Sequence, residues 1–169
     1  MPGSGTSTFI DSDDYQASLS HLRIDLLVTF QGAFNARLTW ATLHHFQLLH
    51  TEEDMPRIAH VSLAPTLVFV GFVTRPDPPM LWGGVELQTG DLIFHSRGER
   101  FHQRTTGPCG WSLLGFVPEH LERYCEALLG KPLSLPAAAR ILRPAARDAA
   151  RLRRLHGRPA ASPRPGPKC

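Results

Sequence analysis

Histidine is the first residue type here with chemistry to offer, since the chain of 169 residues carries nine of them. Imidazole binds transition metals, and a His-x-His pair on a strand aims both rings at one face because strand side chains alternate. The adjacent pair His44-His45 would instead point to opposite faces. His60, His95 and His102 occur singly, each on a different expected strand or turn. These three are the candidates for a metal ligand, set against the plainer reading of hydrogen-bonded strand histidines.

Cys109, Cys125 and Cys169 form no Cys-x-x-Cys pair, so neither a disulfide framework nor a zinc knuckle is indicated and reduced thiols are expected. Cys109 sits in Gly107-Pro108-Cys109-Gly110 with no neighbour that would lower its pKa, and no Gly-x-Ser-x-Gly elbow occurs. Gly83-Gly84 and Gly90 fit hairpin turns better than phosphate loops. The reading is therefore of a non-enzyme with no cofactor. Trp40, Phe69, Phe72, Trp82, Phe94 and Trp111, with His60 and His102, are candidates for lining a small-molecule pocket; plain core packing is the competing reading. Arg57 and Arg75 could anchor an anionic ligand, although arginine is more commonly a surface residue.

Those side chains must be held by short strands. Ile24, Leu26, Val28 and Phe30 alternate with Asp25, Leu27 and Thr29, and after the Gln31-Gly32 turn Phe34, Ala36, Leu38 and Trp40 resume the alternation. Further strands are expected over Leu43–Leu49, Ile58–Leu63, Leu67–Val73, Met80–Trp82, Val85–Leu87, Leu92–His95, Phe101–Arg104 and Trp111–Val117. Turn signals separate them, and acidic, Pro-containing Thr51–Pro56 reads as a break. No crossover helices intervene, so residues 22–117 read as an all-β sandwich or barrel. A short helix is expected over about 13–20, where Asp11-Ser12-Asp13-Asp14 supplies cap oxygens. Pro118-Glu119 starts a second helix that Gly130 and Pro132 stop, with Leu121, Tyr124, Cys125 and Leu128 on one face. A third runs from Pro144 to His156 with an apolar stripe of Ala145, Ala149, Leu152 and Leu155.

Composition bounds the rest. Hydrophobic residues make up 42% and charged residues 20%, a globular balance. No apolar run approaches the ~20 residues of a membrane span, and the N-terminus lacks the regions of a secretory signal, so a cytoplasmic location without membrane association is expected. Residues 1–130 carry 8 Lys+Arg against 14 Asp+Glu, whereas residues 131–169 carry 10 against Asp148 alone. An acidic body with a basic end does not present its main surface to phosphates. Arg147, Arg151 and Arg154 could contact nucleic acid, weakly and with strong salt dependence, or simply face solvent on a linker helix.

Three runs carry a family resemblance: Pro56-Arg57-Ile58-Ala59-His60-Val61-Ser62-Leu63; Pro79 to Ile93, which contains Leu81-Trp82-Gly83-Gly84 and Thr89-Gly90-Asp91; and Ser96 to Thr105, which contains Arg97-Gly98-Glu99. Together they resemble the N-terminal sensory domain of bacterial AraC/XylS-type transcription regulators. Arg140-Ile141-Leu142-Arg143-Pro144 is similar to the linker leading to that family's helix-turn-helix motifs. The resemblance implies a mainly β, cupin-like double-stranded β-helix (a jelly roll) followed by one or two C-terminal helices. It also implies effector binding inside the barrel, dimerisation, or both.

The domain expectations follow: a flexible N-terminus over 1–10, a cupin-like sensory and dimerisation domain over 11–130, a linker and Arg-rich helix over 131–156, and a disordered Pro-rich tail over 157–169. The tail has no helix-turn-helix spacing, so the expectation is a regulator truncated or frame-shifted before its DNA-binding part, or a stand-alone protein. Its partners would be a small-molecule effector and a second copy or a full-length homologue, with Ala145, Ala149, Leu152 and Leu155 as the dimer or linker stripe. No sequence-specific DNA binding by this chain alone is expected. The alternative is a small metal-dependent cupin enzyme, although the His-x-His motif such enzymes use is missing.

Overall fold

Period-two patterning emerges as twelve strands, with three helices, in the computed structural model, which describes residues 3–19, 21–75 and 77–156. One sheet runs, neighbour to neighbour, through β1 (Gly3–Phe9), β3 (Ala36–Leu43), β4 (Phe46–Glu53), β11 (Cys109–Phe116), β6 (Val68–Val73), β9 (Leu92–Phe94) and β12 (Arg140–Leu142). The second runs through β2 (Leu22–Val28), β5 (Arg57–Leu63), β10 (Arg100–Thr105), β7 (Leu81–Trp82) and β8 (Val85–Glu86). All neighbours are antiparallel. Ile24, Ala59 and Val61 of the second sheet pack against Leu38, Leu49, Ile93 and Leu113 of the first in one buried cluster. This is one of the two all-β architectures that the alternation predicts, a sandwich, and it is consistent with the jelly roll that the resemblance implies.

Helix α1 (Ser12–Ser18) is capped by the Asp11 carboxylate, which accepts from the backbone N–H groups of Asp13 at 2.8 Å and Asp14 at 3.1 Å. The cap orients Tyr15 into the core, where it is fully buried. Helix α2 (Pro118–Leu129) ends at Gly130, whose φ of 69° closes the helix in the left-handed conformation. Helix α3 (Ala146–His156) follows β12.

Four local expectations are corrected. Residues 3–9, expected to be loose, form β1 and pair along their whole length with β3. The signal was not apolar periodicity but close approach: a Cβ at Gly5 would stand 3.2 Å from the Trp40 indole, which packs over the glycines. Thr51–Pro56 does not break the chain at its start, because β4 continues through Glu53 and buries Thr51 and Glu53. His44-His45 lies in the turn between β3 and β4, outside any strand pleat. Finally, within the expected linker, where no strand was expected, Arg140–Leu142 forms an edge strand of the larger sheet, paired with Leu92–Phe94. The expected tail over 157–169 falls outside the described residues, as does the Leu155 side chain.

Candidate ligand site

Between the sheets lies a polar centre in an otherwise apolar interior. Glu53 is brought there by β4, Arg57 by β5, Cys109 and Trp111 by β11, Gln103 by β10 and Tyr15 by α1. The Tyr15 hydroxyl donates to Glu53 Oε1 at 2.7 Å, and the Trp111 indole N–H to the same oxygen at 2.9 Å. Arg57 Nε–H donates to Oε2 at 2.6 Å, and Cys109 Sγ lies 3.3 Å from that oxygen. Arg57 Nη2–H completes the set by donating to Gln103 Oε1 at 3.1 Å. Burial pushes the Glu53 carboxyl up, but the Arg57 charge and the donated hydrogen bonds outweigh it, and the net direction is down. Burial and the nearby Glu53 push Tyr15 well up and Cys109 up to about 12. Arg57, for which a surface position was the commoner expectation, is completely buried. Its Nε is held by Glu53, while its buried Nη1 has no hydrogen-bond partner among the described residues. Arg75 is exposed.

Beside this centre is a cavity of about 20 Å³, room for about one water molecule. Met80, Phe101, Gln103, Trp111 and His95 border it. His95 is 2% exposed, its Nδ1 lies 3.1 Å from Glu99 Oε2, and its ring stacks on Phe101 with centroids 4.9 Å apart. Trp82 meets the same ring edge-on at 5.9 Å, and its buried indole N–H has no hydrogen-bond partner among the described residues. A Cβ at Gly71 would come within 3.0 Å of His95 Nε2, so glycine there leaves space at the imidazole. Most of the side chains that border the cavity are aliphatic or aromatic, with His95, Gln103 and Ser112 as its polar groups.

The structure distributes the sequence candidates unevenly. Phe72 and Trp111 border the cavity, Trp82 packs on its His95 and Phe101 rings, and Phe69 is buried in the surrounding core. Trp40 is half-buried against Gly3 and Gly5, and Phe94 is half-buried on β9. His60 and His102 face each other across β5 and β10 on the exposed surface of the smaller sheet, ring centroids 6.3 Å apart. His95 is inside, so the three metal candidates are not brought together, and no group of three metal-ligating side chains converges among the described residues. Glu53, Glu99 and Gln103 were missed; the available signal for Glu53 was the period-two continuation of β4 through Leu49 and Thr51.

The helices are placed differently from one another. On α2, Tyr124 is 53% and Leu128 82% exposed while Leu121 and Cys125 are half-buried, so its apolar stripe is partly uncovered. Of the α3 stripe, Ala149 is buried, Leu152 is half-buried and Ala145 is exposed just ahead of the helix. No described helix is long and apolar enough to cross a membrane.

No family model matches the chain, and no curated protein does. Among solved structures it is similar to the AraC-like transcriptional activator CuxR, with a TM-score of 0.51 at 18% identity over 77% of this chain and 53% of that one. The chain thus spans about half of that activator's length. A second match, vicilin from Corylus avellana (hazelnut), has a TM-score of 0.35 at 12% identity, over 80% of this chain and 36% of that one.

Proposed function

We propose that this chain is the sensory and dimerisation domain of an AraC-type transcription regulator, acting without catalysis. The observation that carries the reading is the fold likeness to an AraC-like activator across 77% of the chain. The interior supports it: His95, Gln103 and Trp111 border a water-sized space, and an effector that binds there does so in a state in which the core has opened. The partly uncovered stripe of α2 is the surface on which a second copy would pack, burying Leu121, Tyr124 and Leu128. Sequence-specific DNA reading is assigned to another part of such a regulator, since two sheets and an Arg-rich helix present no groove-reading element among the described residues.

The test is a thermal-shift screen of small polar compounds on the purified chain, paired with a gel shift on promoter DNA. A ligand that raises Tm in the native chain but not in Gly71→Val supports the reading. Sequence-specific retardation of DNA by this chain alone contradicts the assignment of DNA reading elsewhere.

A further inference from the structure

The interior cavity is not the roomiest concavity of the molecule. A cleft of about 370 Å³ opens between the turn Gln88–Asp91 and the junction of β12 with α3. That volume falls within the ~300–1,000 Å³ of small-molecule sites. One wall carries the exposed side chains of Gln88 and Thr89, the other Arg143, and Pro144, Ala146 and Ala149 supply a small apolar lining.

The charges in the cleft are unequally committed. Asp91 is 4% exposed; its Oδ2 accepts the Gln88 backbone N–H at 3.0 Å and its Oδ1 lies 3.4 Å from Arg143 Nε. Its carboxylate is therefore used in holding the turn and orienting the arginine. Arg143 is 69% exposed and makes this contact through Nε, so among the described residues its two terminal nitrogens remain as a planar fork. Such a fork matches the two oxygens of a carboxylate or phosphate. The neighbouring acid, Asp148, is exposed and paired with Arg147 at 3.7 Å.

We infer that this cleft is a second ligand site, taking a small organic molecule through one oxyanion group on Arg143, with its body over Ala146 and Ala149 and its polar substituents on Gln88 and Thr89. The two walls also meet where a Cβ at Gly90 would lie 3.1 Å from the Ala149 Cβ. A molecule bridging them is coupled by position to the orientation of α3. Leu87 and Ile93, on either side of the turn, border the interior cavity, so the same turn touches both places.

The experiment is an amide NMR titration of the whole chain with sodium benzoate and, separately, inorganic phosphate, each against sodium chloride at equal ionic strength. Saturable shifts over Gln88–Asp91 and Arg143–Ala149 are expected with at least one oxyanion and not with chloride. Phosphate alone would assign a phosphorylated ligand, benzoate alone a carboxylate. Arg143→Gln is expected to weaken binding at least about tenfold, with Arg143→Lys in between. Ala146→Glu places a negative charge at the exposed lining without touching Arg143, and is expected to weaken binding too. Spectra of all three variants report folding directly. The inference is overturned by shifts that never saturate, that chloride reproduces, that the variants leave unchanged, or that fall on Gly71 and His95 alone. It does not depend on the regulator reading, whose effector would act at those last residues.

Discussion

Glu53 and Arg57 lie four residues apart in sequence yet on different sheets, joined by a 2.6 Å hydrogen bond with both side chains at most 1% exposed. The short connection between β4 and β5 is thus bridged at the centre of the sandwich by a charge pair. Two charges taken so far from water are offset by four neighbours that bond to the pair, Tyr15, Trp111, Cys109 and Gln103. The cluster ties α1, β4, β5, β10 and β11 together.

Removing one partner leaves the other charge buried and unpaired. Arg57→Met and Glu53→Gln are each expected to cost about 3–5 kcal/mol. Urea unfolding would show this as a lower midpoint with an unchanged m-value. The double variant Glu53→Gln/Arg57→Met should recover part of the loss; simple additivity would show the pair is not coupled.

The same pair sets an acid limit. The Glu53 carboxyl is held below its ordinary range in the folded state, so its contribution is fully present above the unfolded pKa of about 4.3 and is lost as pH falls through the lower folded value. Stability of the native chain should therefore decline below about pH 4.3, more steeply than that of Glu53→Gln. Equal slopes for the two proteins would remove Glu53 from the account.

Thiol accessibility gives an independent reading. Cys109 is 1% exposed and its pKa is pushed up to about 12, so little thiolate exists at neutral pH. Of the two cysteines among the described residues, labelling by a disulfide reagent should reach half-buried Cys125 before Cys109, which reacts only on unfolding. Peptide mapping after brief labelling checks the order.

The α2 stripe predicts the assembly state. Leu128→Glu, at a position 82% exposed in the single chain, should leave Tm of the monomeric fold unchanged while dissociating a dimer. Light scattering across a concentration series reads the assembly and thermal unfolding of the dilute chain reads the Tm; a native chain that is monomeric throughout would sink the dimer proposal.

Much of the fold was legible because strand periodicity and turn residues are local signals. Alternation from Ile24 to Val28 and the Asp11 cap appear in the structure within a few residues of expectation. The site was less legible, because burial depends on partners distant in sequence. Trp111 could be named as an interior aromatic, but Glu53 looked like part of an acidic loop until Tyr15, 38 residues earlier, and Trp111, 58 residues later, were seen to satisfy it. His60 and His102 were grouped with His95 by residue type alone, and the pleat puts them on the opposite surface of their sheet.

By itself the sequence determined an all-β sandwich or barrel over residues 22–117 with helices at its C-terminal side, since hydrophobic period, turn chemistry and capping act over a few residues. It also determined that charge would be divided between an acidic body and a basic end. Only the tertiary structure decided that Glu53 and Arg57 are core residues, that residues 3–9 and Arg140–Leu142 are edge strands, and that Arg143 and Asp91 face each other across a cleft. Each of these rests on desolvation or cross-strand pairing between segments that only folding brings together.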